Sequence, residues 1–483
     1  MRLIARVFTR FAERFMPDAF ILLALITVAV FILGVVAGSS PRDVLDMWGE
    51  GYFGILEFTA QSTLILVLGF ALASTPAVQR ALRWLTRLPR NEVQVIILTV
   101  LVMMVCSWIS WGFGLIAGGI VAREMGIAHR GRVHYPLLVA ATYSGFLVWH
   151  AGYGGATPQL IATPGHFLES SIGIIPVADT IFSAQTLIIV GLLAVAVPVT
   201  MVFMRPPAGE RQSLPESVVR ESEEMADDRA GSDRGGVTGD EAANSEGDSG
   251  RGPAATSAAA TTSGESVRSV DDGRANKPVL AERMERSRVV TLLFGILGLL
   301  YLVSYYAGSG ALNINMVIYS FTVAGLLLAP NVRRYLSYIA GGAKASYGII
   351  LQFPFYGAIM GIMTGTGLVT VMADFFADIS SADTLPFWSF ISGGLINVFV
   401  PSGGGQWAVQ GPVMMEAAAQ LGADPAATAM GVAWGDSWTN MIQPFWAIPL
   451  LAIAGLGIRQ IMGYTAVTLI VSGVVIGGGL LIF

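Results

Sequence analysis

Two polar interruptions inside otherwise apolar sequence, built alike, constrain the fold of this chain more than any other feature. The first is Trp108-Ile109-Ser110-Trp111-Gly112 and the second is Pro401-Ser402-Gly403-Gly404-Gly405-Gln406. Each is followed by another broken apolar stretch. In the first half it runs from Tyr143, Ser144 and Gly145 through His150 to Pro158; in the second it runs from Trp434, Gly435, Asp436 and Ser437 through Asn440 to Pro444. The spacing repeats as well, with Gly112 to Gly145 and Ser402 to Gly435 each 33 residues apart. Apolar segments interrupted at corresponding places in two halves point to a ligand site formed between repeats at membrane depth.

The surrounding sequence supports a membrane setting. Hydrophobic residues make up 54% of the chain and charged residues 13%, about half the charge usual in a soluble domain. Apolar windows recur along the length, as in Ala19 to Ala37, Ile181 to Met204 and Val289 to Tyr306. Each is long enough to cross a hydrocarbon core of about 30 Å as a helix. The alternation that a barrel strand requires is missing from these windows. A single cysteine, Cys106, rules out an intramolecular disulfide. The first apolar run follows Arg2, Arg6, Arg10 and Arg14, is too long for a signal-peptide core, and is expected to be a retained helix with a cytoplasmic N-terminus. Residues 205–288 are rich in Ser, Gly, Ala, Asp and Glu, with runs such as Glu221-Ser222-Glu223-Glu224. Such composition cannot offset the entropy of ordering, so a disordered acidic linker is expected between a first membrane repeat, 1–204, and a second, 289–483.

Lys and Arg near helix ends mark the cytoplasmic side. Basic residues flank the stretch 92–122 on both ends, Arg80 to Arg90 before it and Arg123, Arg130 and Arg132 after it. A segment that starts and finishes on one side must turn back within the membrane, and Ser110 to Gly112 is the natural turn. The broken segment 135–162 then crosses outward, and the linker falls in the cytoplasm. In the second half, Arg333, Arg334 and Lys344 mark an inner loop, Asp374, Asp378 and Asp383 an outer one, and no Lys or Arg returns until Arg459. The stretch 387–420 is therefore a hairpin opening to the outside, and 426–454 is its broken partner, with the C-terminus outside. The predicted fold is an all-α polytopic membrane protein of two inverted-topology repeats, each with a re-entrant hairpin and a broken transmembrane helix, about nine full spans plus two hairpins. We expect it in the plasma or inner membrane, within the lipid bilayer.

Candidate site residues follow from the breaks. Half-helix N-termini carry positive partial charge and free N–H donors, so the tips suit an anion. The substrate-binding candidates are Ser110, Trp111, Gly112, Ser144, Gly145 and His150 from the first half, with Tyr143 and Gln159 similar in kind, and Ser402, Gly403, Gly404, Gly405 and Gln406 from the second. Asp436 is the one acid deep within its apolar segment, and an ionisable group at such depth is a functional hypothesis by default. With Asn397, Ser437, Thr439, Asn440 and Gln443 it supplies oxygens and amides for an ion-coupling set that takes Na⁺ or H⁺. His150 is open to two readings, a proton or substrate partner and a structural hydrogen-bonder beside Trp149. No Walker loop, dinucleotide fingerprint or metalloprotease motif is present, so no enzyme activity, bound cofactor or nucleic-acid partner is expected and the energy source must be a gradient.

The run Asn397-Val398-Phe399-Val400-Pro401-Ser402-Gly403-Gly404-Gly405-Gln406-Trp407, followed by Trp434-Gly435-Asp436-Ser437-Trp438-Thr439-Asn440-Met441-Ile442-Gln443-Pro444-Phe445-Trp446, resembles the short-chain fatty acid transporter family. Ser107 to Gly112 and Tyr135-Pro136 through His150-Ala151-Gly152 are similar to its first half, and the acidic insert is the main departure. The resemblance implies uptake of short monocarboxylates such as acetoacetate or butyrate by a carrier of the ion transporter superfamily. In that superfamily a hairpin-bearing part often moves against a scaffold, and dimers are common among the fold relatives. Other readings stay open: the same fold carrying a dicarboxylate or amino acid, an ion/H⁺ exchanger, or a membrane scaffold or receptor that binds a partner through its acidic loop.

Overall fold

The computed structural model describes residues 19–216, 218–220 and 280–482. The basic N-terminal stretch and most of the acidic linker lie outside the described residues. Every regular element among the described residues is helical. The first half contains α1 (Ala19–Val36), α2 (Pro41–Gly54), α3 (Leu56–Ala73), α4 (Pro76–Leu85), α5 (Glu92–Ile109), α6 (Trp111–Ala128), α7 (Tyr135–Ser144), α8 (Ala156–Ile161) and α9 (Ala184–Phe203). The second contains α10 (Val289–Ala307), α11 (Ile314–Leu328), α12 (Val332–Ala345), α13 (Tyr347–Gly365), α14 (Leu368–Ile379), α15 (Leu385–Asn397), α16 (Gly403–Leu421), α17 (Pro425–Thr439), α18 (Pro444–Ala454) and α19 (Ile458–Ile482). Among the described residues, α3, α5, α9, α10, α13 and α19 are long and apolar enough to cross a membrane. The broken segments divide that length between shorter pieces.

Both breaks fold as the polar residues dictate. Ser110 and Ser402 have extended backbone, and each accepts a hydrogen bond on its side chain from the N–H three residues on, Phe113 at 3.5 Å and Gly405 at 3.3 Å. They are N-caps, which satisfy donors that a helix start leaves orphaned. The first hairpin has arms α5 and α6, and its second arm continues past 122 through Arg123 to Ala128. The basic residues at 123, 130 and 132 therefore straddle the helix end. The second hairpin has arms α15 and α16, and α16 closes on Gly422 in the left-handed region (φ 66°), where glycine carries no Cβ penalty. The broken segments pass through short 3₁₀ turns, Gly145–Ala151 and Asn440–Ile442.

Partners are exchanged between the halves. α3 packs against α11 and α12, while α13 packs against α1 and α2. α6 lies on α3 and α4, and α16 lies on α13 and α14. The result is two bodies: a scaffold of α1–α3 and α10–α13, and a hairpin body of α5–α9 and α15–α19. Small residues permit the close approach, since a Cβ on Gly145 would lie 2.6 Å from Val100 O and one on Gly435 would lie 2.4 Å from Phe390 O. Packing of this kind is what holds helices together where both solvent and side chains are apolar.

Part of the stretch that composition assigns to the linker is packed. Leu214 and Val218 are buried, Gln212 exchanges backbone and side-chain bonds with Tyr135 N and His134 Nδ1, each 2.9 Å, and Arg211 pairs with Glu92 at 2.7 Å. Two apolar side chains and an ion pair thus fasten residues 205–220 across the ends of α5, α6 and α7. The far end, Leu280–Arg286, packs on α12 of the scaffold.

Candidate functional site

The centre of the hairpin body is a buried polar cluster contributed by both halves. Asn397 ends α15, and its Nδ2 donates within reach of three acceptors: Asp436 O at 2.8 Å, Thr439 Oγ1 at 2.9 Å and Asn440 Oδ1 at 2.8 Å. Asn440 Nδ2 in turn donates to Asp436 Oδ1 at 3.1 Å, and Gln443 Nε2 donates to Asn397 O. From the first half, Tyr143 OH donates to Asn440 O at 2.7 Å. His150 places Nε2 3.6 Å from Asp436 Oδ1, with both side chains shut off from solvent at 0% and 1% exposure.

Several polar atoms here have no hydrogen-bond partner in the protein. They include both ring nitrogens of His150, Asp436 Oδ2, Ser437 Oγ and Asn397 Oδ1. Thr157 and Gln159 add further unpartnered atoms on α8, a helix that packs against α16 and α17. Buried polar groups left so cost about 1–3 kcal/mol each, and native structures tolerate them chiefly where function needs them. Among the described residues there is no group of three or more His, Cys, Asp or Glu that would hold a metal ion.

The tip of the second hairpin meets this cluster. A Cβ on Gly403 would lie 2.3 Å from His150 Nε2, and one on Gly404 would lie 2.5 Å from the Phe58 ring of α3. Gly405 has the same relation to Tyr356 of α13, at 2.3 Å. The three glycines therefore let the start of α16 run between the scaffold rings and the imidazole. Gln406 braces the hairpin instead, its Nε2 donating to Gly393 O and Gln410 Oε1, both at 2.9 Å.

The first-half candidates divide. His150 joins the cluster and Tyr143 buttresses it. Trp111 reaches it through an aromatic relay, with Trp149 at 6.4 Å and Trp149 in turn 3.6 Å from the His150 ring. Ser110 caps α6, Gly112 packs on Leu66, Ser144 bonds Thr468 Oγ1 at 3.2 Å on α19, and Gly145 packs on α5. Those four are part of the framework. Phe58 meets the second tip and Ser107 braces the first, and neither was among the candidates. Ser107 Oγ donates to Gly145 O at 3.2 Å, as Asn397 does to Asp436 O, and its place three residues before the first cap was the available signal. Phe58 carries no local signal, because it reaches the tip only through tertiary packing.

A model described as short chain fatty acid transporter matches residues 1–245 and 265–483. The chain belongs to the short-chain fatty acid transporter family. Similar members include an Escherichia coli (strain K12) protein named "Putative short-chain fatty acid transporter", 37% identical over 99% of each chain. A Haemophilus influenzae (strain ATCC 51907 / DSM 11121 / KW20 / Rd) protein of the same name is 33% identical over 97% of this chain and 96% of its own. The fold resembles the crystal structure of the Alcanivorax borkumensis YdaH transporter, with a TM-score of 0.54 at 15% identity, covering 96% of this chain and 98% of that one. This family member is thus a multi-pass membrane transporter rather than an enzyme.

Proposed function

We propose that this transporter carries short monocarboxylates together with a proton, and that the His150–Asp436 pair holds the proton. The pairing of a buried imidazole and a buried carboxylate at 3.6 Å carries the reading. Without an added proton the pair bears one negative charge; with it, the pair is neutral. A second unit charge 4 Å away is worth on the order of 4 kcal/mol at an effective dielectric of about 20. A carboxylate is therefore repelled by the unprotonated pair and accepted by the protonated one. The backbone N–H groups at the start of α16, beside His150, supply the anion's other partners. Binding of proton and carboxylate favour each other by the same factor, which is the requirement for symport.

A sodium ion is the other occupant to test in the same place: Asp436 O, Thr439 Oγ1 and Asn440 Oδ1 face the Asn397 amide, while Asp436 Oδ2, Ser437 Oγ and Asn397 Oδ1 are unpartnered oxygens. The exchange of partners between α3 and α13 supports reading the two halves as inverted repeats, with one hairpin entering from each membrane face.

Radiolabelled butyrate uptake into proteoliposomes tests this. An inward proton gradient should drive saturable accumulation, a sodium gradient at equal pH should not, and Asp436→Asn should abolish accumulation. Absence of saturable uptake of any short carboxylate would sink the carrier reading. Sodium-driven accumulation indifferent to pH would remove the proton from it.

A further inference from the structure

Resting on that carrier reading, we infer that the cavity between the start of α3 and residues 160–167 is the vestibule through which the carboxylate reaches the site, and that Phe58 is its gate. The cavity is walled by Ile55, Phe58, Leu160 and Phe167, with Gln61 and Thr163 among its polar residues. Phe58 is the wall that also meets the second hairpin tip. Its ring stacks on Phe353 of α13 at 5.8 Å and meets Phe167 edge-on at 6.2 Å, so scaffold and hairpin body both hold it.

Behind that ring lies the hairpin tip. Gly404 faces Phe58 so closely that a Cβ there would sit 2.5 Å from the ring, and the preceding residue, Gly403, stands in the same relation to His150 Nε2. One aromatic ring and one turn of backbone separate the cavity from the His150–Asp436 pair. A rotation of Phe58, or a shift of the tip relative to α3, joins the two spaces.

The lining also says what is selected. No Lys or Arg lines the cavity. His166 is engaged through both nitrogens, Nδ1 accepting from Leu168 N at 3.3 Å and Nε2 meeting Gly173 O at 3.0 Å, and burial holds its pKa below the ordinary 6.5. Glu57, which accepts from Gln61 at 3.3 Å, is the acidic wall. The carboxylate head finds no cation there and Glu57 weighs against a second negative charge, so the vestibule favours a monoanion over a dianion and discriminates among monoanions by the bulk of the tail against the Phe58 ring. Pockets of this kind separate tails by roughly 10-fold or more per methylene.

The experiment compares uptake of acetate, butyrate, hexanoate and octanoate by the parent protein, Phe58→Ala, Phe58→Leu and Phe58→Trp. The smaller side chains should raise hexanoate uptake relative to butyrate by roughly 100-fold, two methylenes at about 10-fold each, and the tryptophan should restrict uptake to acetate. In parallel, Pro164→Cys on a Cys106→Ser background is treated with a membrane-impermeant thiol reagent. The thiol should react from one face only, be shielded by butyrate, and block uptake once modified. An unchanged chain-length profile in every Phe58 variant with butyrate uptake intact overturns the gate. A Pro164→Cys thiol that butyrate does not shield, in protein that transports, overturns the vestibule. Loss of uptake in the parent protein sinks the carrier reading itself.

Discussion

The two hairpin tips share a plan and differ in what surrounds them. At each, a serine caps the second arm, and a polar residue on the first arm donates to a carbonyl of the neighbouring broken helix: Ser107 to Gly145 O, and Asn397 to Asp436 O. Around the first tip the packing is aromatic, with Trp111 edge-on to Trp446 at 5.2 Å and Phe146 stacked on Trp149 at 5.6 Å. Around the second it is polar and hydrogen-bonded. The first tip is packed as an aromatic wedge, while the second carries a network of buried polar groups. His150 and Tyr143 reach across from the first half into this cluster, so its polar groups come from both halves though most lie in the second.

Substitutions at matched places separate these roles. Gly403→Ala drives a Cβ against the imidazole and should lower butyrate uptake about 100-fold, the scale of a misplacement of about 1 Å at a working site. Gly112→Ala meets first the movable end of Leu66, at 2.9 Å, and should cost only a few-fold; equal losses at both tips would erase the asymmetry. Next, Asn397→Ala strands buried acceptors and should destabilise the protein by about 3 kcal/mol, against about 1 kcal/mol or less for Ser107→Ala. Denaturation midpoints in one detergent measure both, and a larger loss for Ser107→Ala would reverse the assignment of wedge and site.

The smallest expected effect concerns pH. His134 accepts the Gln212 N–H at Nδ1 and its Nε2 meets Tyr464 OH at 3.1 Å. Burial first, and Arg211 second, hold its pKa below 6.5. A histidine lowered in the folded state contributes fully above 6.5, and that contribution is lost as pH falls through its own lower value. Amide exchange across 205–220 and the outer ends of α5 and α6 should therefore quicken between pH 7.5 and pH 5, with α15 and α16 unchanged. Equal quickening of both hairpins would show that the fastening is not specific to the first.

Much of this was legible in the residues. Helix starts are announced by Ser110, Ser402, Asn91 and Asp424, whose side chains cap at short range, and local chemistry of that sort is carried by adjacent letters. Asp436 and Asn397 stand out in the sequence for another reason, since polar groups at membrane depth are costly without partners, and the structure buries both in one hydrogen-bonded cluster. The pairing of His150 with Asp436 was not, because the two are far apart in the chain and only the packing of α17 on the first-half turn brings them together. Ser144 and Gly145 are placed by packing, Ser144 on Thr468 and Gly145 on α5, as small or polar residues at a break often are. Residues 205–220 were masked by their polar neighbours, with Leu214 and Val218 too few to change the composition of the stretch.

The anchoring of that stretch has a practical consequence. Deleting from Glu210 would strip Arg211, Leu214 and Val218 from the body they fasten, whereas deleting from Glu221 leaves them in place. More usefully, one anchor rides on the hairpin body and the other, Leu280–Arg286, on the scaffold helix α12. Dyes attached at Ser213 and Arg283 would form an optical ruler between the two bodies, testing for displacement during turnover while the residues of the candidate site stay native.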